Sequence, residues 1–115
     1  MEIIRKSENI SAADLYSMTK GNQVRKMADA KGEVLDLQQF VIYKDINSEG
    51  EETIVLSVKT IDGAYYATNS KTFIRNFIDI VAIFEESGEQ IPTRYAVGSG
   101  RSNAGRQYLT CDIAQ

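Results

Sequence analysis

Positive side chains are concentrated in two short stretches of an otherwise acidic chain. Between Lys20 and Lys31 stand four cations (Lys20, Arg25, Lys26 and Lys31) and one anion, Asp29. Between Ile91 and Cys111 stand Arg94, Arg101 and Arg106 with no acid at all. The 115-residue chain has a net charge of −3, so each stretch carries +3 and the remainder −9. A polyanion responds to the local field rather than to the global sum. Tyrosine adds a second pattern: Tyr43, Tyr65, Tyr66, Tyr95 and Tyr108, five of the six, fall on runs with strand character. A tyrosine on a sheet surface can stack on a base at roughly 1–3 kcal/mol while neighbouring cations follow the backbone. Tyrosine also simply suits half-buried strands, and a short charge run can be plain solvated surface. On charge and strand position, Arg94, Arg101 and Arg106 are the candidates to hold phosphates, with Lys59, Arg25 and Lys26 as secondary contacts. Tyr43, Tyr65 and Tyr108 are the candidates to stack bases.

Other chemistry finds little support. Without histidine, neither a Ser-His-Asp nor a Cys-His machine is available, and no imidazole can ligate a metal. Cys111 is the one cysteine, which excludes an intrachain disulfide and any paired-thiol zinc knuckle. It alternates with Leu109 and Ile113, as a buried packing residue does. The segment Gly98-Ser99-Gly100-Arg101-Ser102-Asn103-Ala104-Gly105 has the glycines of a phosphate loop. Arg106-Gln107 stands where a P-loop needs Lys-Ser/Thr, however, and no helix opens after it. The third glycine of a dinucleotide fingerprint is missing as well. Asp45, Glu49, Glu51 and Glu52 cluster on a turn where nothing would exclude water or raise a pKa. The expectation is a protein that is not an enzyme and uses no cofactor, metal or small-molecule substrate.

The elements that must carry the candidates are readable from residue 33 onward. Glu33 to Lys44 is rich in β-branched and aromatic residues and runs into the polar turn Asp45 to Gly50. Thr53 to Ile61 alternates with period two, and Asp62-Gly63 turns the chain into a third strand, Ala64 to Thr68. The period then changes. Phe73, Phe77, Ile80, Val81 and Phe84 make an apolar helical stripe, widened by Ile74 and Ile78, with Asn69 or Ser70 as N-cap and Gly88 as stop. Two further strands follow, Thr93 to Val97 and Gln107 to Ile113, joined by Gly98 to Gly105 as a flexible basic loop. Residues 1–31 are less regular. Ser11 caps a short helix from Ala12 to Thr19, and Gln23 to Met27 suits an edge strand or a basic loop.

The order strand, strand, strand, helix, strand, strand predicts a mainly β fold, a five-stranded OB-like Greek-key barrel with one helix. The length suits one domain over residues 1–115, with an N-terminal helical arm (1–31) and the barrel at 32–113. No stretch approaches the ~20 apolar residues of a membrane span, and Met1 to Lys6 lacks a secretory h-region. The expected location is the cytoplasm.

Residues 32–113 also resemble a known family. The runs Gly32-Glu33-Val34, Glu51-Glu52-Thr53, Asp62-Gly63-Ala64-Tyr65-Tyr66-Ala67 and Ser70-Lys71-Thr72 are similar to those of small single-stranded-DNA-binding proteins of protein-primed bacteriophages. The ending Gly98 to Leu109 is similar in kind. The resemblance implies an OB-like protein that coats single strands displaced during phage genome replication, protecting them and keeping them from re-annealing. Single-stranded DNA would be the partner, and self-association stays open. The other reading is a non-enzymatic interaction or structural module of phage origin, since Tyr and Arg are also favoured at protein interfaces.

Overall fold

The computed structural model describes residues 1–114. In chain order it holds β1 (Glu2–Lys6), α1 (Ala12–Thr19), β2 (Val24–Lys26), a single 3₁₀ turn (Met27–Ala30), β3 (Val34–Ile46), β4 (Glu52–Thr60), β5 (Tyr65–Thr68), α2 (Lys71–Glu86), β6 (Arg94–Arg101) and β7 (Gln107–Ile113). The strands form one curled sheet in the order β2-β5-β4-β3-β6-β7, with β1 also on β3. All pairings are antiparallel except β2 with β5. The result is a half-barrel of mixed sheet with two helices. Its two ends, β2–β5 and β7, do not pair with each other.

Strand β3 is the spine. Its first residues, Val34 to Asp36, pair with β6, and on the same edge Val41 to Lys44 pair with β1. The opposite edge is taken by β4 from Leu37 to Ile46, interrupted by a bulge between Leu37 and Gln39. Alternation along these strands sends side chains to two faces. On the inner face Leu35, Phe40, Ile42, Leu56, Val58, Tyr66, Tyr95, Val97 and Cys111 meet Phe73, Ile74, Phe77 and Val81 of α2. Phe77 is the centre of this core, edge-on to Phe40 at 5.0 Å and tilted against Tyr95 at 5.1 Å.

The helix stripe is close to its expectation. Ser70 accepts from the Phe73 N–H as N-cap, and Gly88 follows the helix at φ +70°. Ile78 is 40% exposed, because the packed face is narrower than the stripe.

Two findings differ from the sequence reading. First, the segment 1–31 supplies two strands and a helix that complete the sheet and cover its outer face. Met18 of α1, Val41 and Tyr43 form a second buried cluster, joined by Ile10, Leu15, Val55 and Tyr65. The Ser57 hydroxyl donates to the Met18 carbonyl at 2.7 Å beneath α1, which ties helix to sheet. The count is therefore seven strands, with the expected order kept over residues 34–113. Second, Gly98 to Arg101 is strand rather than loop: Gly98 pairs with Thr110 and Gly100 with Tyr108. Only Ser102 to Arg106 turns the chain, closed by the Ser102 N–H on the Arg106 carbonyl at 2.9 Å. The glycines are there because the cross-strand side chains lie over them. A Cβ at Gly98 would stand 2.6 Å from the Thr110 hydroxyl.

Candidate nucleic-acid interface

The open seam of the half-barrel forms a concavity. A cleft of about 660 Å³ lies there, with Lys26, Met27, Ala28 and Lys31 on one bank and Ser99, Gln107, Tyr108 and Leu109 on the other. Val55, Ala67, Thr68, Asn69 and Ser70 line the space between, where β5 ends and α2 begins. The lining contains two lysines and no carboxylate. Its polar groups are otherwise amides and hydroxyls, which suit hydrogen bonds to phosphate, sugar or base edges.

Each bank follows from local structure. Lys26 ends β2 opposite Ala67, and the 3₁₀ turn buries Met27 and Ala30, which leaves Ala28 and Lys31 at the surface. On β7 the Cys111 N–H donates to the Asn76 side chain of α2 at 3.2 Å rather than to a strand. By the two-residue period, Leu109 also turns its peptide groups to the unpaired edge. Tyr108, 38% exposed, rests against Gly100. The hairpin tip adjoins this bank: Arg106 precedes Gln107, and Arg101 faces Gln107 across the ladder. Both arginines are exposed.

The structure brings together only some of the candidates. Lys26 and Tyr108 line the cleft, and Arg101 and Arg106 stand at its end. Arg94 is seven residues up β6, about 23 Å at the rise of a strand, and sits opposite Asp36. The three arginines therefore do not form one cluster. Arg25 is separated from its neighbour Lys26 by strand alternation. Its guanidinium lies 5.8 Å over the Tyr66 ring, on a second concavity of about 480 Å³ that also holds Glu33, Asp36 and Asp62.

Tyr43, Tyr65 and Lys59 share the outer face, and α1 covers it. Tyr43 is 5% exposed, so neither ring face is open to a base, and burial raises its pKa. Tyr65 is half-buried beside the same cluster with its hydroxyl 3.5 Å from Asp14. The Lys59 ammonium is 3.2 Å from the Asp14 carboxylate. These placements correct the stacking role for Tyr43 and show Lys59 already paired. The reason is tertiary, since the outer face becomes an interior once α1 packs on it.

Lys31, Gln107 and the Thr68–Ser70 turn are cleft residues that the sequence pattern does not single out. Lys31 is visible there only as one of the four cations of its stretch. The turn reads from sequence only as a helix cap. Among the described residues no group of acidic or cysteine side chains could hold a metal ion, and no helix is long and apolar enough to cross a membrane. No family model, curated protein or solved structure matches the chain.

Proposed function

We propose that the chain is a single-stranded-DNA-binding protein that takes its strand through the seam cleft and coats displaced strands during phage DNA replication, without sequence preference and without catalysis. The observation that carries this reading is the cleft itself. Its lining holds Lys26, Lys31 and Tyr108 and no carboxylate, and its edge residue Gln107 is the ladder partner of Arg101 in the β6–β7 hairpin.

The sheet path supports it. The path from β5 through β4, β3 and β6 to β7 is compatible with an OB-like barrel left open between β5 and β7. In OB proteins, oligonucleotides lie on the second and third strands and under the loop between the fourth and fifth. On that reading the corresponding elements are β4, β5 and the Ser102–Arg106 turn. The hairpin at Asn47–Glu51 is acidic and would repel phosphate, which directs the strand toward the seam. The resemblance of residues 32–113 to the phage proteins adds the replication setting and a cytoplasmic location in a host cell. A single strand fits better than a duplex because neither helix presents a basic face to a major groove.

The test is fluorescence anisotropy of a labelled oligo-dT against a duplex of equal length over a salt series. Preference for the single strand, with a log–log salt slope near −0.7 per phosphate contact, is the expected result. Equal affinity for the duplex, or no binding at low salt, would overturn the reading. The unpaired edge of β7 then favours a second one: a module that accepts an extended peptide as an added strand.

A further inference from the structure

One bank of the seam cleft is the open edge of a strand. On the covered side of β7 the Ala114 N–H donates to the Arg94 carbonyl at 3.0 Å. The register runs from Arg101–Gln107 to Tyr95–Ile113 without a bulge. Alternation therefore holds along the whole strand: even-numbered residues turn their peptide groups to β6, and odd-numbered ones turn theirs away from it. Gln107, Leu109, Cys111 and Ile113 thus face outward.

Two of these four N–H groups are taken by side chains. That of Cys111 donates to Asn76 Oδ1 at 3.2 Å, and that of Ile113 to Asp112 Oδ1 at 2.8 Å. Among the described residues no side chain accepts from the N–H of Gln107 or Leu109, and these two residues line the cleft. Proteins cover or blunt an open edge, because its peptide groups will pair with whatever extended partner arrives. Here the cover stops where the cleft begins. Exposed Lys26 and Lys31 stand on the opposite bank.

We propose that this edge binds the Watson–Crick edges of unpaired bases, the Leu109 N–H and C=O taking one base and those of Gln107 the next, while Lys26 and Lys31 hold the phosphates across the cleft. The proposal rests on the single-strand reading of the seam. An outward residue of a strand edge offers a donor and an acceptor side by side. Every base carries a donor next to an acceptor on its Watson–Crick edge, so none of the four is excluded. In a duplex the partner base occupies that edge. The pairing therefore selects single strands without selecting sequence. At the rise of an antiparallel strand the two peptide pairs lie about 6.8 Å apart, twice the ~3.4 Å step of stacked bases. Bases bound here lie side by side in the plane of the sheet.

Oligo-dT and an N3-methylthymidine oligomer of equal length should be titrated against the full chain. Methylation at N3 removes the Watson–Crick donor and keeps the phosphates and the ring face. It should weaken binding by about tenfold or more, since one hydrogen bond is worth about that factor. By NMR the Gln107 and Leu109 amides should move downfield with oligo-dT, and the inward Tyr108 and Thr110 amides should move less. Leu109→Pro removes the outward N–H where an edge strand tolerates proline. It should bind oligo-dT about tenfold more weakly than Leu109→Ala, which shortens the side chain further but keeps the N–H. The oligomer comparison and the amide shifts use the unaltered chain, so they decide even where Leu109→Pro does not fold. Equal affinity for both oligomers, unmoved Gln107 and Leu109 amides, or equal affinity of the two variants would overturn the proposal and leave the seam as the path of the strand. Edge amides that respond to an extended peptide and not to oligo-dT would overturn it in favour of strand addition. Failure of oligo-dT to bind at all would overturn the single-strand reading itself.

Discussion

The ring of Tyr108 lies across Gly100, its direct partner in the β6–β7 ladder, so that a Cβ at position 100 would stand 2.7 Å from the ring Cζ. The glycine is the seat of the one nominated tyrosine that keeps a substantial exposed surface. Gly100→Ala should push the ring off this seat. What must move is the far end of a side chain, so the fold should lose little, within about 0.5 kcal/mol by thermal unfolding. Oligo-dT affinity should change severalfold, and Tyr108→Ala should cost about 1–3 kcal/mol of binding. Full affinity in both variants would remove Tyr108 from the interface.

The cations should separate by place. Lys26→Ala with Lys31→Ala should flatten the salt slope of single-strand binding by about 0.7 for each phosphate left without its cation. Arg101→Ala with Arg106→Ala should act in the same direction. Arg94→Ala, at the other end of β6, should leave the slope unchanged. A slope that responds to Arg94 and not to the lysines would move the strand to a different path.

A buried hydrogen bond adds to the apolar packing that attaches α1 to the sheet. The Ser57 side chain, with no exposed surface, donates to the Met18 carbonyl. Ser57→Ala leaves that carbonyl without its partner and should cost about 1–3 kcal/mol in denaturant unfolding. Amide exchange in α1 should rise before exchange in β3 or β4. Uniform loss of protection would mean that α1 and the sheet unfold as one unit.

The Cys111 thiol should be inert in the native protein and should make stability fall at alkaline pH. Burial, with a smaller effect from Asp112, pushes its pKa from 9.0 up to about 12. The unfolded chain releases the proton near pH 9 while the folded chain keeps it. The folded state therefore binds more protons above that pH, and stability decreases as pH rises from about 9 toward 12. Tyr95 and Tyr43, both raised from 10.0 by burial, add to the loss only above pH 10. Between pH 9 and 10 the slope should thus disappear in Cys111→Ala, read from denaturant midpoints. A thiol reagent at pH 8 should label the unfolded chain far faster than the native one.

Local signals along the chain determined most of the elements. Period-two alternation marked β4, the Asp62-Gly63 turn ended it, and the spacing of Phe73, Phe77 and Val81 marked α2 because each pattern is set by backbone geometry within a few residues. The same locality explains why Lys26 and the β6–β7 tip could be nominated, since a charge excess is visible without any fold. Tertiary structure decided everything that depends on what packs where. Five-residue β1 and three-residue β2 are too short to carry a periodic pattern, and they exist because β3 and β5 offer edges to pair with. Gly98 and Gly100 read as a loop from composition, yet they are strand because Thr110 and Tyr108 need the space above them. Tyr43 and Lys59 alternate outward like Tyr65, and no sequence pattern says that α1 will cover that face; burial is a property of two surfaces, and a strand specifies only one of them.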